Sequence, residues 1–69
     1  MNTIVIKDDF IKLGQALKLA GIVDSGLEAK LMILDGEVKY NGEVELRRGK
    51  KVYSGDEIEV DGIVYKVVK

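Results

Sequence analysis

The stretch that decides the fold is SGLEAKLMILDGEVKYNGEVEL, residues Ser25–Leu46. Its first half carries apolar residues at helical spacing, whereas its second half alternates apolar and charged residues. Ser25 followed by Glu28 is a capping box, in which each side chain accepts a hydrogen bond from the other residue's backbone N–H. The stretch therefore predicts a helix that begins after Ser25 and is followed by a β-hairpin.

The helix and the hairpin each carry further signals. Apolar residues occupy nearly every face of Leu27–Leu34, which predicts a largely buried helix. Asp35-Gly36 ends it, because Gly36 tolerates the left-handed conformation found after helix ends. Asn41-Gly42 predicts a tight hairpin turn, since both residues tolerate positive φ. The hairpin is expected to place its apolar residues on one side of the sheet: Val38, Tyr40, Val44 and Leu46.

The flanking segments complete the predicted fold. The β-branched Thr3–Ile6 predicts a short strand, and Asp8 or Asp9 is expected to cap a helix that runs to Ala20 and ends at Gly21. After the hairpin, KVY, EIEV and IVYKVV predict further strands, the last two joined by a turn at Asp61-Gly62. The fold class is therefore α+β: two packed N-terminal helices followed by a small twisted antiparallel sheet, with an added N-terminal strand.

Size and composition restrict the functional class. The 69 residues predict one domain, residues 1–69, without cysteine or histidine, so the usual ligands of structural zinc are absent. The common bases and nucleophiles of acyl transfer are absent as well, and we expect neither catalysis nor a cofactor, metal or small-molecule substrate. The N-terminal residues lack a basic leader with a long apolar core, and LMIL is far too short to span a membrane. We expect a cytoplasmic protein without a membrane partner.

The basic loop, residues Arg47–Lys51, is the sharpest local feature. The chain has a formal net charge of -1, with 11 Lys and Arg against 12 Asp and Glu, yet this loop holds Arg47, Arg48, Lys50 and Lys51. Clustered cations pair with phosphate oxygens and release condensed counterions, which favours a nucleic-acid contact. A solvated loop that protects sheet edges explains the same residues, so both interpretations are open.

The acidic residues decide whether a basic surface survives on a slightly anionic chain. Asp56, Glu57, Glu59 and Asp61 cluster late in the sequence, and Glu43 and Glu45 are expected to point outward from the hairpin. We expect them on the face away from the helices, where salt screens their repulsion of an anionic ligand. The tyrosines are candidates for stacking on bases, although Tyr40 shares a face with Val38, which favours a core position with its hydroxyl at the surface.

The order of these motifs resembles the S-four RNA-binding domain, also called the alpha-L motif, in its small stand-alone bacterial branch. The resemblance covers residues 11–60, the expected core of the domain, and runs without gaps from Lys12 to Gly42. The residues that carry it are Lys12-Leu13, Leu17, Gly21, Ser25, Ala29, Ile33, Gly36, Val38, Tyr40, Asn41-Gly42 and Gly55-Asp56. The resemblance implies non-catalytic binding of structured RNA, of the ribosomal or transfer RNA type.

The chain departs from the commoner family pattern at two places. Gly14-Gln15 stands where those members carry Asp-Lys, and Gly26 stands where they carry Arg; the basic residues normally help to hold RNA phosphates. We therefore expect the remaining helical residues and the basic loop to carry the contact. The predicted RNA-binding residues are Lys12, Gln15, Lys18, Lys30, Arg47, Arg48, Lys50 and Lys51. The rival hypothesis is a protein-interaction adaptor that keeps the fold and uses its apolar helices or open sheet edge.

Overall fold

The computed structural model describes residues 2–69. The elements in chain order are β1 (Asn2–Val5), β2 (Phe10–Lys12), α1 (Leu13–Leu19), α2 (Gly26–Leu34), β3 (Val38–Tyr40), β4 (Glu43–Val44), β5 (Lys51–Tyr53), β6 (Glu57–Val60) and β7 (Ile63–Val68). The predicted α+β class is confirmed. None of the helices in this part of the chain is long and apolar enough to cross a membrane.

The strands form one five-stranded sheet and a separate two-stranded ribbon. The sheet has the order β1-β7-β6-β3-β4, and the ribbon pairs β2 with β5. β1 runs parallel to β7, whereas the other neighbours are antiparallel. The sheet is therefore mixed, and the prediction of a purely antiparallel sheet is wrong. A strand precedes the helices at the N-terminus, as β1, but a second strand that was not predicted, β2, also precedes α1. The first strand begins at Asn2, one residue before the predicted Thr3–Ile6.

The predicted start of the first helix is wrong. Instead of a helix capped by Asp8 or Asp9, the chain forms β2, and α1 begins only at Leu13. The extended conformation gives Ile11 the partner Val52 on β5, which is fully buried. Tertiary pairing with a strand that follows both helices in sequence thus overrides the local helical pattern, and secondary-structure propensity does not register this long-range effect.

The core lies between the two helices and the five-stranded sheet. Leu13, Ala16 and Leu17 of α1 and Ala29 and Ile33 of α2 are buried. The sheet contributes alternate residues of its strands, because successive side chains point to opposite faces. These are Ile4, Val38, Ile58, Val60 and Val67. Gly21 follows the end of α1 with φ +75°, and Gly36 follows the end of α2 with φ +78°, as the sequence predicted.

The second helix is far more exposed than predicted. The Ser25 side chain accepts from the Glu28 N–H as expected, but the Glu28 carboxylate accepts from the N–H of Asp24 rather than of Ser25. Only Ala29 and Ile33 of α2 are buried. The opposite face carries Leu27, Leu31 and Leu34, which are 65%, 52% and 57% exposed, with Lys30 among them. A domain of this size has too little other structure to cover both sides of the helix.

The hairpin turns are confirmed, but the predicted distribution of side chains on the first hairpin is wrong. Asn41 and Asp61 have φ of +49° and +54°, as the first residue of a type I′ turn requires. A two-residue turn at Asn41-Gly42 places Tyr40 opposite Glu43, and Lys39 opposite Val44. Residues directly opposite share a face of the sheet, so Val44 lies on the outer face with Lys39. Leu46 lies beyond β4 and is exposed.

Candidate nucleic-acid interface

The basic loop is fastened to the start of α1 by two backbone hydrogen bonds. The Leu13 N–H donates to the Lys50 carbonyl at 2.9 Å, and the Gly14 N–H donates to the Arg48 carbonyl at 3.0 Å. The first N–H groups of a helix have no partner within the helix, and here the loop supplies that partner. The loop therefore satisfies the first N–H groups of α1, whose N-cap residue Lys12 makes no side-chain cap. The backbone of the loop is fixed against the helix start.

The structure explains why position 14 is a glycine: the Arg48 side chain occupies the space that a Cβ would need. A Cβ built on Gly14 would lie 2.7 Å from Arg48 Cγ and 3.3 Å from Arg48 Cδ, because the Arg48 stem crosses the helix at this residue. Any larger side chain must displace that stem. The departure from the commoner Asp-Lys pattern at Gly14-Gln15 thus coincides with an arginine that lies over the same turn of the helix.

Arg47 has a carboxylate partner beside it. Its Nε donates to Glu45 Oε2 at 2.9 Å, and its own backbone N–H donates to the same oxygen at 3.1 Å. This pair holds the pKa of Glu45 below its ordinary value, mainly through the side-chain hydrogen bond, and raises the pKa of Arg47. The Glu45 side chain is 13% exposed and that of Arg47 is 71% exposed. Glu45 therefore lies beneath the loop, and the prediction that it points outward is wrong.

Asp56 follows β5 and joins the turn between β5 and β6 to the first hairpin. Its carboxylate accepts from the Tyr40 hydroxyl at 2.6 Å, the Tyr53 N–H at 2.8 Å and Asn41 Nδ2 at 3.3 Å. The Asn41 Oδ1 in turn accepts from the Glu57 N–H at 2.8 Å. Partial burial of Asp56 raises its pKa, but these hydrogen bonds outweigh the burial, and the pKa lies below its ordinary value of 3.8.

The hydrogen bond from the Tyr40 hydroxyl to Asp56 raises the pKa of Tyr40 to about 12, because ionising the phenol would remove the proton that Asp56 accepts. A raised pKa means that this contribution to stability is complete below the unfolded value of 10 and is lost as pH rises through about 12. In an ultraviolet titration of tyrosinate, one of the three tyrosines should ionise near pH 12. The late step should vanish in Tyr40→Phe; a late step that survives in that variant would contradict this assignment.

The β2–β5 ribbon presents aromatic and basic side chains together. Phe10 lies opposite Tyr53 and Lys12 lies opposite Lys51, whereas Ile11 and Val52 form the inner pair. Phe10 and Tyr53 are 37% and 46% exposed, with ring centroids 6.0 Å apart. Phe10 lies within the segment that the sequence predicted to be helical, so it was not among the predicted site residues. The signal was present in FIK (10–12) and KVY (51–53), whose residue classes are mirror images and so match in antiparallel pairing.

A pocket of about 490 Å³ opens beside the ribbon. The Lys50 ammonium lies 5.0 Å from the centre of the Tyr40 ring, and the Lys51 ammonium lies 4.9 Å from the centre of the Phe10 ring. Such contacts hold a cation at the face of a ring. The residues that line the pocket are Tyr40, Arg47, Gly49, Lys50, Lys51 and Tyr53.

The structure brings together five of the eight predicted site residues: Lys12, Arg47, Arg48, Lys50 and Lys51. Gln15 and Lys18 are exposed on one face of α1, and Lys18 lies in its last turn, about 7 Å along the axis from the start of the helix. Lys30 lies on the exposed leucine face of α2. No hydrogen bond or ion pair within residues 2–69 joins Gln15, Lys18 or Lys30 to the basic loop.

The acidic side chains are only partly separated from the basic loop. Glu57 and Glu59 alternate with the buried Ile58 and Val60, so they face away from the helices as predicted. Glu45 does not, because it is bonded to Arg47 of the basic loop. Asp56 does not, because it is bonded to Tyr40, which lines the pocket beside that loop. The five cations of the loop and ribbon outnumber these two carboxylates. Within the described residues, no cluster of acidic side chains is arranged to hold a metal ion.

This combination of a helix start capped by a basic loop and a following hairpin matches a known family. The family model of the S4 domain matches residues 4–68. The chain belongs to the S4 domain family. The predicted resemblance is confirmed, and the match extends beyond the predicted core of residues 11–60 at both ends.

Two curated relatives cover most of the chain. The "Probable ribosome maturation protein RlbA" of Bacillus subtilis (strain 168) is 46% identical over 61 residues, which are 88% of this chain and 86% of that protein. YbcJ of Escherichia coli (strain K12) is 37% identical over 62 residues, 90% of this chain and 89% of YbcJ. The solution structure of Escherichia coli YbcJ, described as revealing an alpha-L motif involved in RNA-binding, superposes with a TM-score of 0.75 at 36% identity. That superposition covers all of this S4 domain and 89% of the YbcJ chain.

Proposed function

We propose that this S4 domain is a non-catalytic RNA-binding module, one domain over its whole length, that binds structured RNA through contacts to the backbone. The observation that carries the proposal is the attachment of the basic loop to the start of α1 through the Lys50 and Arg48 carbonyls. Cations on a loop whose backbone is fixed can contact several phosphates of a folded RNA together, and such contacts recognise shape more than sequence. The description of YbcJ as carrying an RNA-binding motif supports the same function.

The cations divide into free and paired ones. No ion pair within residues 2–69 involves Lys12, Arg48, Lys50 or Lys51, whereas Arg47 is bound to Glu45. Lys12 and Lys51 lie directly opposite each other, an arrangement that is unfavourable in a sheet without an anion nearby. A phosphate beside them would offset this repulsion. Gln15, Lys18 and Lys30 are proposed to add contacts along the helices where a larger RNA extends past the loop.

The RNA is proposed to be of the ribosomal or transfer RNA type, and the protein is proposed to act in the cytoplasm. The name of the Bacillus subtilis relative refers to ribosome maturation, which supports a ribosomal RNA partner. Crosslinking the protein to RNA in cells and sequencing the attached fragments tests this directly. We expect fragments of structured RNA, attached to peptides that contain residues 47–53. A stoichiometric protein partner recovered without RNA would contradict the proposal.

The second candidate function is a protein-interaction adaptor, and the exposed leucines of α2 are the observation that favours it. Leu27, Leu31 and Leu34 lie on one exposed helix face. Three exposed leucines on one side of a short helix are typical of a surface that contacts another protein. Replacing Leu27 and Leu31 by Gln separates the two functions, because an RNA-binding module keeps its RNA affinity in this variant and an adaptor loses its partner.

Replacing Gly14 by Ala should weaken RNA binding without removing any charge. The new Cβ displaces the Arg48 stem, whose Cγ lies 2.7 Å from that position, and moves the guanidinium off the helix. Losing one positioned phosphate contact is expected to lower affinity roughly 5-fold, or about 1 kcal/mol. The helix itself is expected to gain up to about 1 kcal/mol from the better helix former. Fluorescence anisotropy measures the RNA affinity, and urea unfolding measures the stability. A loss of stability that accompanies the loss of affinity would show that the substitution damages the fold rather than the position of Arg48.

A further inference from the structure

Phe10 and Tyr53 place two aromatic rings side by side on the outer face of the β2–β5 ribbon, with ring centroids 6.0 Å apart. They remain 37% and 46% exposed. Large aromatic side chains stabilise a fold most when they are buried. Phosphates require cations rather than flat rings. The two rings therefore point to a ligand that is itself flat and apolar on its faces.

The cations around these rings point to a ligand that is also anionic. Lys12 and Lys51 lie opposite each other on the same face as Phe10 and Tyr53. The Lys50 and Lys51 ammonium groups each lie about 5 Å from a ring centre, at Tyr40 and Phe10 respectively. A nucleotide joins a flat base to a phosphate, and so combines the two properties that this surface matches.

We propose that the pocket beside Tyr53 binds one unpaired nucleotide of the RNA, an inference that rests on the proposed function. The base stacks on Tyr53, and the adjoining phosphates contact Lys50, Lys51 and Arg48. Bases inside an A-form helix are stacked on each other and cannot reach the pocket, so the nucleotide comes from a bulge, a loop or the end of a helix. The preferred RNA therefore carries an unpaired base next to the backbone that the basic loop contacts.

The aromatic part of the pocket is held in place before a ligand arrives. The Tyr40 hydroxyl donates to Asp56 at 2.6 Å, and the Tyr53 N–H donates to the same carboxylate at 2.8 Å. The Tyr53 ring also contacts Phe10, at a centroid distance of 6.0 Å. The volume of about 490 Å³ falls within the roughly 300–1,000 Å³ typical of small-ligand sites. Fixed walls reduce the ordering that binding would otherwise require.

Three hairpin RNAs test the inference: a fully paired stem, the same stem with one bulged adenosine, and the same bulge with an abasic nucleotide. The abasic control keeps the bulge and its phosphate but lacks the base. We expect the bulged hairpin to bind more tightly than the abasic one by roughly 5- to 140-fold, the range that one base–aromatic stack supplies. Tyr53→Leu should abolish this difference between the bulged and the abasic hairpin. Tyr53→Phe should retain it.

The outcomes separate the inference from the proposed function. Equal affinity for the bulged and abasic hairpins, or a bulge preference that survives in Tyr53→Leu, would overturn the nucleotide pocket while leaving backbone binding intact. No binding to any of the three hairpins would overturn the proposed function and this inference with it. The fold of each variant is checked by its urea unfolding midpoint. 2-Aminopurine in the bulge gives a second readout, since its fluorescence should be quenched on stacking by wild type and Tyr53→Phe but not by Tyr53→Leu.

Discussion

Replacing Asp56 by Ala lowers the free energy of unfolding by about 2–4 kcal/mol, the largest stability change expected outside the core. The substitution leaves three donors without their acceptor: the Tyr40 hydroxyl, the Tyr53 N–H and the Asn41 amide. A domain of 69 residues has a total stability of roughly 3–10 kcal/mol, so much of it depends on this side chain. Urea unfolding followed by circular dichroism measures the change.

Asp8→Ala is the matched control, because Asp8 is exposed and no hydrogen bond within residues 2–69 uses its side chain. It should change stability by less than about 0.5 kcal/mol. The effect of Asp56 also depends on pH. Because its pKa lies below 3.8 in the folded state, its contribution is present above pH 3.8 and is lost as pH falls through the lower folded value. Equal unfolding midpoints for Asp56→Ala and Asp8→Ala would show that the network contributes nothing.

Replacing Arg47 and Arg48 together by Ala should lower the affinity for folded RNA by about 10- to 100-fold, or roughly 1.5–3 kcal/mol. The single variants should differ. Arg47 is held by Glu45 at 2.9 Å and must share its guanidinium with a phosphate, whereas Arg48 makes no ion pair within the described residues. We therefore expect Arg48→Ala to cost more affinity than Arg47→Ala.

The matched control for this pair is Lys39→Ala with Lys66→Ala, which removes the same charge from the outer face of the sheet. Lys39 lies opposite Glu59 and Lys66 lies opposite Glu57 on that face. Anisotropy titrations of both double variants with one hairpin RNA make the comparison. If the control loses as much affinity as the arginine variant, overall charge rather than the basic loop determines binding.

Local signals were sufficient to predict the parts of the fold that depend on a few neighbouring residues. The Ser25 cap depends on a side-chain oxygen that few residues offer. The glycines at Gly21 and Gly36 and the turns at Asn41-Gly42 and Asp61-Gly62 depend on backbone conformations that few other residues adopt. The failures involve contacts distant in sequence. β2 forms because β5 pairs with it, and β1 runs parallel to β7 at the far end of the chain.

The candidate site also combines features that are visible in the local sequence with features that depend on tertiary structure. The basic loop was visible as four cations within five residues, but its attachment to α1 through the Arg48 and Lys50 carbonyls depends on tertiary structure. The position of Glu45 could have been predicted, because a two-residue turn pairs Tyr40 with Glu43 and so places Glu45 on the side of Val38. The exposed leucines of α2 could not, since an apolar helix does not reveal how much structure is present to cover it.

The salt dependence of RNA binding tests the central claim most directly, because it counts the phosphates that the protein neutralises. For wild type and a duplex RNA, the plot of log K against log salt should have a slope of about -3 to -4, as expected for about four phosphate contacts. In the Arg47→Ala, Arg48→Ala variant the slope should be flatter by about one to two. Parallel lines for the two proteins would show that the basic loop does not contact the RNA backbone.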